Sequence, residues 1–272
     1  MMNTPRSDIA LVTGASSGIG YAAAHALRTA GYRVFGTSRR PGAKGPDGVT
    51  MLACDVTDDA SVAQLVEQVL REGGRIDLLV NNAGIGLFGG AEESSVPQAQ
   101  SLFDVNVFGV IRMTNAVLPG MRHRGAGRII NLSSAYGFIP APYFALYAAT
   151  KHAVEGYSQS LDHELRAFGV RVVVVQPTYT RTAFDDNLVM PDRLLGAYDA
   201  IRGSMKQVVA EALQQGDTPE IVAAAILKAA TDKTPKLRYP AGKLARRVSL
   251  LRRFVPEAGF DRSLRKMLRL PV

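Results

Sequence analysis

The chain has 272 residues, 47% hydrophobic and 21% charged, proportions of an ordinary globular domain and not of a disordered one. A single cysteine, Cys54, excludes an internal disulfide, and with only four histidines no metal site is expected. The formal charge is +8, but nine Lys/Arg against Glu257 and Asp261 put +7 of it in residues 241–272, leaving +1 for the rest and no nucleic-acid signature in the body.

In chain order, the N-terminal stretch has no leader pattern, since its first apolar run, Ile9 to Val12, meets a glycine loop at once. Strands are expected at Asp8 to Thr13, Arg33 to Ser38, Thr50 to Ala53, Ile76 to Asn81, Arg128 to Leu132, Val170 to Gln176 and Lys236 to Tyr239. Helices are expected between them at Ile19 to Ala30, Asp58 to Glu72, Val96 to Met121, Ala145 to Phe168 and Pro219 to Thr231. Nearly continuous apolar strands alternating with helices predict an α/β fold with one doubly wound parallel sheet. Residues 1–240 are read as a single domain with an irregular insertion around Tyr179 to Gln215, and 241–272 as its basic helical extension. The longest apolar runs fall far short of the ~20 residues that cross a bilayer, so a cytoplasmic protein is expected.

The first strand leads directly into Thr13-Gly14-Ala15-Ser16-Ser17-Gly18-Ile19-Gly20 and then a helix. Gly14 permits a tight turn, while Gly18 and Gly20 clear side chains where a pyrophosphate and the sheet approach the helix N-terminus. Glycines can also serve turning alone, but strand, loop and helix stand here in the order that phosphate binding needs.

Tyr147 and Lys151 lie four apart on a helix and share one face. A phenol near pKa 10 carries protons poorly at neutral pH, and a neighbouring ammonium stabilises its phenolate. Alone, such a pair is more often a surface pair. No Gly-x-Ser-x-Gly elbow or Ser-His-acid arrangement competes with it, and His152 lies on a different face.

The glycine spacing, Gly-x3-Gly-x-Gly, with Asn81-Asn82-Ala83-Gly84, Asn106, Ser133-Ser134 and Tyr147-x3-Lys151, resembles the classical short-chain dehydrogenase/reductase family from Ile9 to Thr182. Tyr147 to Ser158 and Leu237 to Lys243 are more loosely similar to its hydroxysteroid- and retinol-dehydrogenase-like branch. The resemblance implies a Rossmann-type fold with Tyr147 as acid/base and Lys151 also holding the nicotinamide ribose. It further implies that Ser134, thirteen residues before Tyr147, orients the substrate oxygen, and that Asn106 supports a water path to the lysine.

The cofactor contacts expected on this basis are Gly14, Ser16, Ser17, Gly18, Ile19, Gly20, Asn82, Ala83 and Gly84, with Asp55 and Val56 beside the adenine. Pro177 and Thr182 are expected at the carboxamide, although Thr178 replaces the family's usual glycine. The second strand ends in Thr37-Ser38-Arg39-Arg40, with arginines where an NAD enzyme carries an acid. Ser38 and Arg39 therefore favour NADP(H), the alternative being two solvated loop arginines.

Ser134, Tyr136, Tyr147, Tyr179 and Phe184 are the expected substrate contacts, in segments that are mostly apolar. They suit a lipophilic ketone, aldehyde or secondary alcohol. The alternatives are a non-catalytic cofactor sensor and a peripheral membrane protein. By resemblance, the helices carrying Asn106 and Tyr147 pair subunits into a homodimer or homotetramer. The tail repeats apolar residues at helical spacing (Leu244, Val248, Leu251; Leu264, Met267, Leu268) and is expected to break near Pro256 and Gly259. Packing beside the cleft is favoured over membrane contact.

Overall fold

The apolar runs become parallel strands because helices cover both of their faces. In the computed structural model, residues 7–182, 184 and 188–270 are described. The elements are β1 (Ile9–Val12), α1 (Gly18–Thr29), β2 (Arg33–Ser38), β3 (Thr50–Ala53), α2 (Asp59–Gly73), β4 (Leu78–Asn81), α3 (Val96–Phe103), α4 (Gly109–Arg124) and β5 (Gly127–Leu132). They continue with α5 (Ala145–Leu165), β6 (Val170–Gln176), α6 (Asp199–Gln214), α7 (Pro219–Thr231), β7 (Arg238–Pro240), α8 (Gly242–Phe254) and α9 (Glu257–Met267).

The seven strands form one parallel sheet in the order β3-β2-β1-β4-β5-β6-β7. Alternate residues of each strand serve opposite layers. Ala10 and Val12 pack with Leu27 of α1 and Ile226 of α7, whereas Ile9 and Leu11 pack with Leu65 of α2 and Met113 of α4. The strand order reverses between β1 and β4, and the crevice beyond their carboxyl ends is where such sheets bind ligands.

Three expectations need correction. The helix expected over Val96 to Met121 is α3 and α4 joined by a π-helical turn, Asp104–Phe108. The segment read as irregular, Tyr179 to Gln215, contains the sixteen-residue helix α6. Its apolar positions Ile201, Met205, Val208 and Val209 keep helical spacing, which Gly203 and the loop before it obscured. In the tail only Pro256 interrupts the helix, because Gly259 lies within α9.

Candidate active site

The loop between β1 and α1 uses backbone that glycine adopts without strain, with φ of +67° at Gly14 and +55° at Gly18. At Gly20 the constraint is space: a Cβ there would strike the Gly14 carbonyl oxygen and the Asn82 side chain. Asn82 Nδ2 donates to the carbonyls of Thr13 (2.9 Å) and Gly14 (3.2 Å), and Thr13 Oγ1 accepts from the N–H groups of Asn82 and Ala83 at 3.0 Å each. These bonds clamp the ends of β1 and β4 across the crevice. Ser17 caps α1 without a side-chain bond, and no acid stands in its first turn. The first-turn N–H groups and the positive helix end therefore suit a phosphate. Across the loop, a Cβ on Gly18 would come within 3.3 Å of Thr182, and half-buried Ser16 and exposed Ser17 lie between the glycines.

At the far end of the crevice Ser38 is buried and its Oγ accepts from Arg40 N (3.2 Å), shaping a turn that leaves Arg39 and Arg40 exposed. Asp55 accepts from Thr57 N (2.9 Å) and Thr57 Oγ1 (2.7 Å). Those two bonds, with the nearby Arg39 guanidinium, hold its carboxyl below the usual carboxylate range. Val56 is buried, and its side chain packs where α4 begins, at Gly109. Cys54 is buried beside it, and burial pushes its thiol pKa up, away from an activated thiolate.

Lys151 and Tyr147 sit one turn apart on α5, with Lys151 Nζ 5.6 Å from the centre of the tyrosine ring. Lys151 is only 6% exposed and donates to the Leu132 carbonyl at the end of β5 (2.8 Å). Burial lowers its pKa to about 8, against the attraction of Glu155 one turn on.

Ser134 follows β5 and caps a short turn, 135–137, its Oγ accepting from Tyr136 N (3.2 Å). This turn rests against α5: a Cβ on Gly137 would collide with Ser133 Oγ and lie 3.1 Å from the Lys151 carbonyl oxygen. Pro177, just past β6, accepts from Ala135 N at 2.8 Å and holds the same turn from the other side. Thr178 has no left-handed backbone, so the threonine fits where the family carries glycine.

Asn106 lies in the π-helical turn and is 1% exposed. Its side chain accepts from Ile85 N (2.9 Å) and donates to Ile85 O (2.8 Å) and Thr150 Oγ1 (3.2 Å). Thr150 Oγ1 in turn donates to the Tyr147 carbonyl (2.7 Å). The asparagine thus joins the loop after β4 to the turn of α5 that carries both Tyr147 and Lys151. The sequence assigns no site role to Thr13, Gly137 or Thr150, because single small residues leave no spacing pattern. Asn81 has a structural role, donating across the sheet to Asn131 Oδ1 (2.9 Å). His152 is exposed and bonds to the Ala148 carbonyl of its own helix.

The expected substrate contacts lie among packed rings. Phe144 lies 5.0 Å from Phe88 and 5.5 Å from Tyr136, and Phe184 lies 5.9 Å from Tyr147. Tyr136 and Tyr179 share a hydroxyl–hydroxyl hydrogen bond of 2.6 Å. Tyr179 also walls a cavity of about 200 Å³ with Val208, Leu244, Met267 and Leu268. Tyr143 has φ +63°, a costly conformation for a non-glycine residue, and its carbonyl accepts from Gly89 N (2.8 Å). Glu93 fastens this side: its buried carboxylate accepts from Gly90 N (2.7 Å) and Leu195 N (2.8 Å) and pairs with Arg202 of α6. From the tail, Leu264 and Leu268 are buried with Met205 and Val209 of α6 and with Phe144.

Glycine cradle, bare helix N-terminus and arginine-lined strand end together fit a nicotinamide dinucleotide. Residues 8–192 match the family described as short chain dehydrogenase. The 3-ketodihydrosphingosine reductase of Bacteroides thetaiotaomicron is 41% identical over 87% of this chain and 88% of its own length. Human 17-beta-hydroxysteroid dehydrogenase type 1 is 35% identical over 85% of this chain and 76% of its own. With such divergent names among its relatives, the chain's expected placement in the hydroxysteroid and retinol branch gives way to the family alone.

Among solved structures, a short-chain dehydrogenase from Streptomyces avermitilis superposes with a TM-score of 0.83 at 35% identity, covering 98% of this chain and 96% of that one. A serine dehydrogenase complexed with NADP+ (TM-score 0.73, 29% identity, 85% and 93% covered) is also similar. So is a Burkholderia phymatum enzyme in complex with NAD (0.75, 27%, 85% and 88%). Sequence match, superposition and the shared crevice agree that the chain belongs to the short-chain dehydrogenase family and is an NAD(P)(H)-dependent oxidoreductase.

Proposed function

We propose that this enzyme transfers a hydride between NADP(H) and a lipophilic ketone or aldehyde, or the corresponding alcohol, with Tyr147 as general acid/base. The observation that carries this reading is Lys151, buried one turn from Tyr147 with its ammonium 5.6 Å from the phenol ring. When bound, the nicotinamide supplies the hydride in reduction and accepts it in oxidation. The chain's residues do the rest. Ser134, its oxygen oriented by Tyr136 N, donates a hydrogen bond to the substrate oxygen. Tyr147 delivers the proton that turns the developing alkoxide into an alcohol, and the Lys151 ammonium stabilises the phenolate left behind. Asn106, through Thr150, holds that turn of α5 in register with the loop after β4.

The glycine loop and the N-terminus of α1 hold the pyrophosphate, with Gly14, Ser16, Ser17, Gly18, Ile19 and Gly20 as the contacts. Asn82, Ala83, Gly84, Asp55 and Val56 border the adenosine, and Pro177 and Thr182 the carboxamide. The preference for NADP(H) rests on exposed Arg39 beside Ser38, at a strand end that carries no carboxylate. Tyr136, Tyr179 and Phe184 give the substrate apolar walls, which favour a lipophilic molecule over a small charged acid. Subunits pair through α4 and α5, where Phe108, beside the start of α4, is half exposed.

A panel of steroid, retinoid, long-chain and small carbonyl compounds, followed by NADPH and NADH absorbance, tests the reading. Turnover of lipophilic members with NADPH preferred supports it. Equal rates with NADH remove the cofactor preference, and turnover confined to small charged acids removes the substrate class. Light scattering tests the pairing, and a concentration-independent monomer contradicts it.

A further inference from the structure

The two tail helices share a basic, amphipathic composition but are used differently. α9 and the turn that ends it bury Leu264 and Leu268 against the body, and Arg269 Nη2 reaches Glu211 of α6 at 2.7 Å. α8 lies against β7 and the 135–137 turn, and its one buried residue is Ala245. The rest of α8 points apolar groups at solvent: Leu244, Leu250, Leu251 and Phe254 are all exposed, Phe254 to 72%. Between them stand Lys243, Arg246, Arg247, Arg252 and Arg253, with no acid in the helix. None of the five lies within salt-bridge distance of a described acid. Arg253 stacks over Phe254, 5.5 Å from its ring centre, so charge and ring leave the surface together.

We propose that α8 is a docking face for an anionic lipid surface, lying in the plane of the headgroups with Leu250, Leu251 and Phe254 inserted. The charge selects the occupant. A second copy brought up about a two-fold axis would set two helices of five positive charges against each other. A purely electrostatic partner would leave the exposed leucines and Phe254 uncovered. An anionic bilayer satisfies both, taking the apolar side chains into its acyl boundary and the guanidinium groups at its phosphates. Spanning is not involved, since no helix among the described residues is long and apolar enough to cross a membrane. The proposal stands apart from the reaction assigned above, because neither the face nor its test involves turnover.

The full-length protein is sedimented with vesicles of phosphatidylcholine alone and with vesicles of equimolar phosphatidylcholine and phosphatidylglycerol. Binding is expected to the anionic vesicles only, and to weaken as salt rises. A Leu251→Ser/Phe254→Ser variant should bind about tenfold or more weakly, since it loses most of the inserted apolar area. An Arg246→Gln/Arg247→Gln/Arg253→Gln variant should bind about a hundredfold more weakly. Both should keep their melting temperature and NADPH affinity, because the altered side chains are exposed. Equal binding to both kinds of vesicle, no binding by the unaltered protein, or unchanged binding by both variants overturns the proposal. So does a change of oligomeric state in the Leu251→Ser/Phe254→Ser variant, which would give the face to a second copy.

Discussion

In the proposed function the crevice has two ends built from different materials. The nucleotide end is backbone: two left-handed glycines, a third with no room for a side chain, and Thr13 and Asn82 tying β1 to β4. The substrate end is side chains: stacked rings, the Tyr136–Tyr179 pair and a buried Glu93–Arg202 clasp reaching α6. Backbone geometry admits few residue types at each position, whereas ring packing admits many. The first end is therefore suited to one constant ligand, and the second can be altered without disturbing it.

The largest effect is expected where the two ends meet. Tyr147→Phe keeps the ring and its contact with Phe184 but removes the proton, so kcat should fall about 10²- to 10⁴-fold while NADPH affinity stays the same. Isothermal titration beside steady-state kinetics checks this. Retained turnover would take Tyr147 out of the mechanism.

Paired glycine substitutions separate the ends directly. Gly20→Ala drives a methyl group into the Gly14 carbonyl and should lower melting temperature and NADPH affinity together. Gly137→Ala should instead push the Ser134 turn off α5, lowering kcat about a hundredfold with NADPH affinity retained, the cost of a small misplacement of a reacting group. If both variants lose the cofactor, the two ends are one mechanical unit.

That division also explains what could be read from the chain alone. The glycine loop was legible because left-handed backbone and close approach leave almost no substitute for Gly14, Gly18 and Gly20. Tyr147 and Lys151 stood out only through the family resemblance, in register with Ser134 and Asn106, because four-residue spacing alone more often marks a surface pair. The π-helical turn around Asn106 was not, since an extra residue in a helix changes neither composition nor apolar period enough to show. Tyr143 gave no sign of its left-handed backbone, which the Gly89 contact and surrounding rings impose from outside. Glu93 and Arg202 are 109 residues apart, and nothing local says that they meet.

Arg39→Ala acts on the nucleotide end alone. A hydrogen bond to a charged group contributes ~1.5–3 kcal/mol, so NADPH affinity should fall roughly 10- to 150-fold with little change for NADH. Competitive titration of the two cofactors measures it. Equal losses would show that Arg39 does not read the 2′-phosphate.

A smaller, graded effect is expected from pH. With its pKa lowered to about 8, Lys151 is charged below that value and neutral above it. In the proposed reaction, reduction draws on the ammonium, so kcat/KM for reduction should be level below about pH 8 and fall above it, approaching tenfold per pH unit. A profile flat to pH 10 would separate the lysine's charge from the proton step.

The smallest effect is expected from Tyr179→Phe. Tyr179 stands between the ring cluster and the cavity of about 200 Å³ that it walls with Leu244, Met267 and Leu268. Its hydroxyl meets Tyr136, and that bond orients two rings of the proposed substrate wall. One neutral hydrogen bond contributes ~0.5–1.5 kcal/mol, so KM for bulky lipophilic carbonyls should rise roughly 2- to 12-fold. Small ketones, which do not reach the wall, should be unaffected, and kcat and NADPH affinity should not move for either. A fall in kcat with KM unchanged would place Tyr179 among the reacting groups. The substrate end would then be doing chemistry as well as packing, and its separation from the nucleotide end would fail.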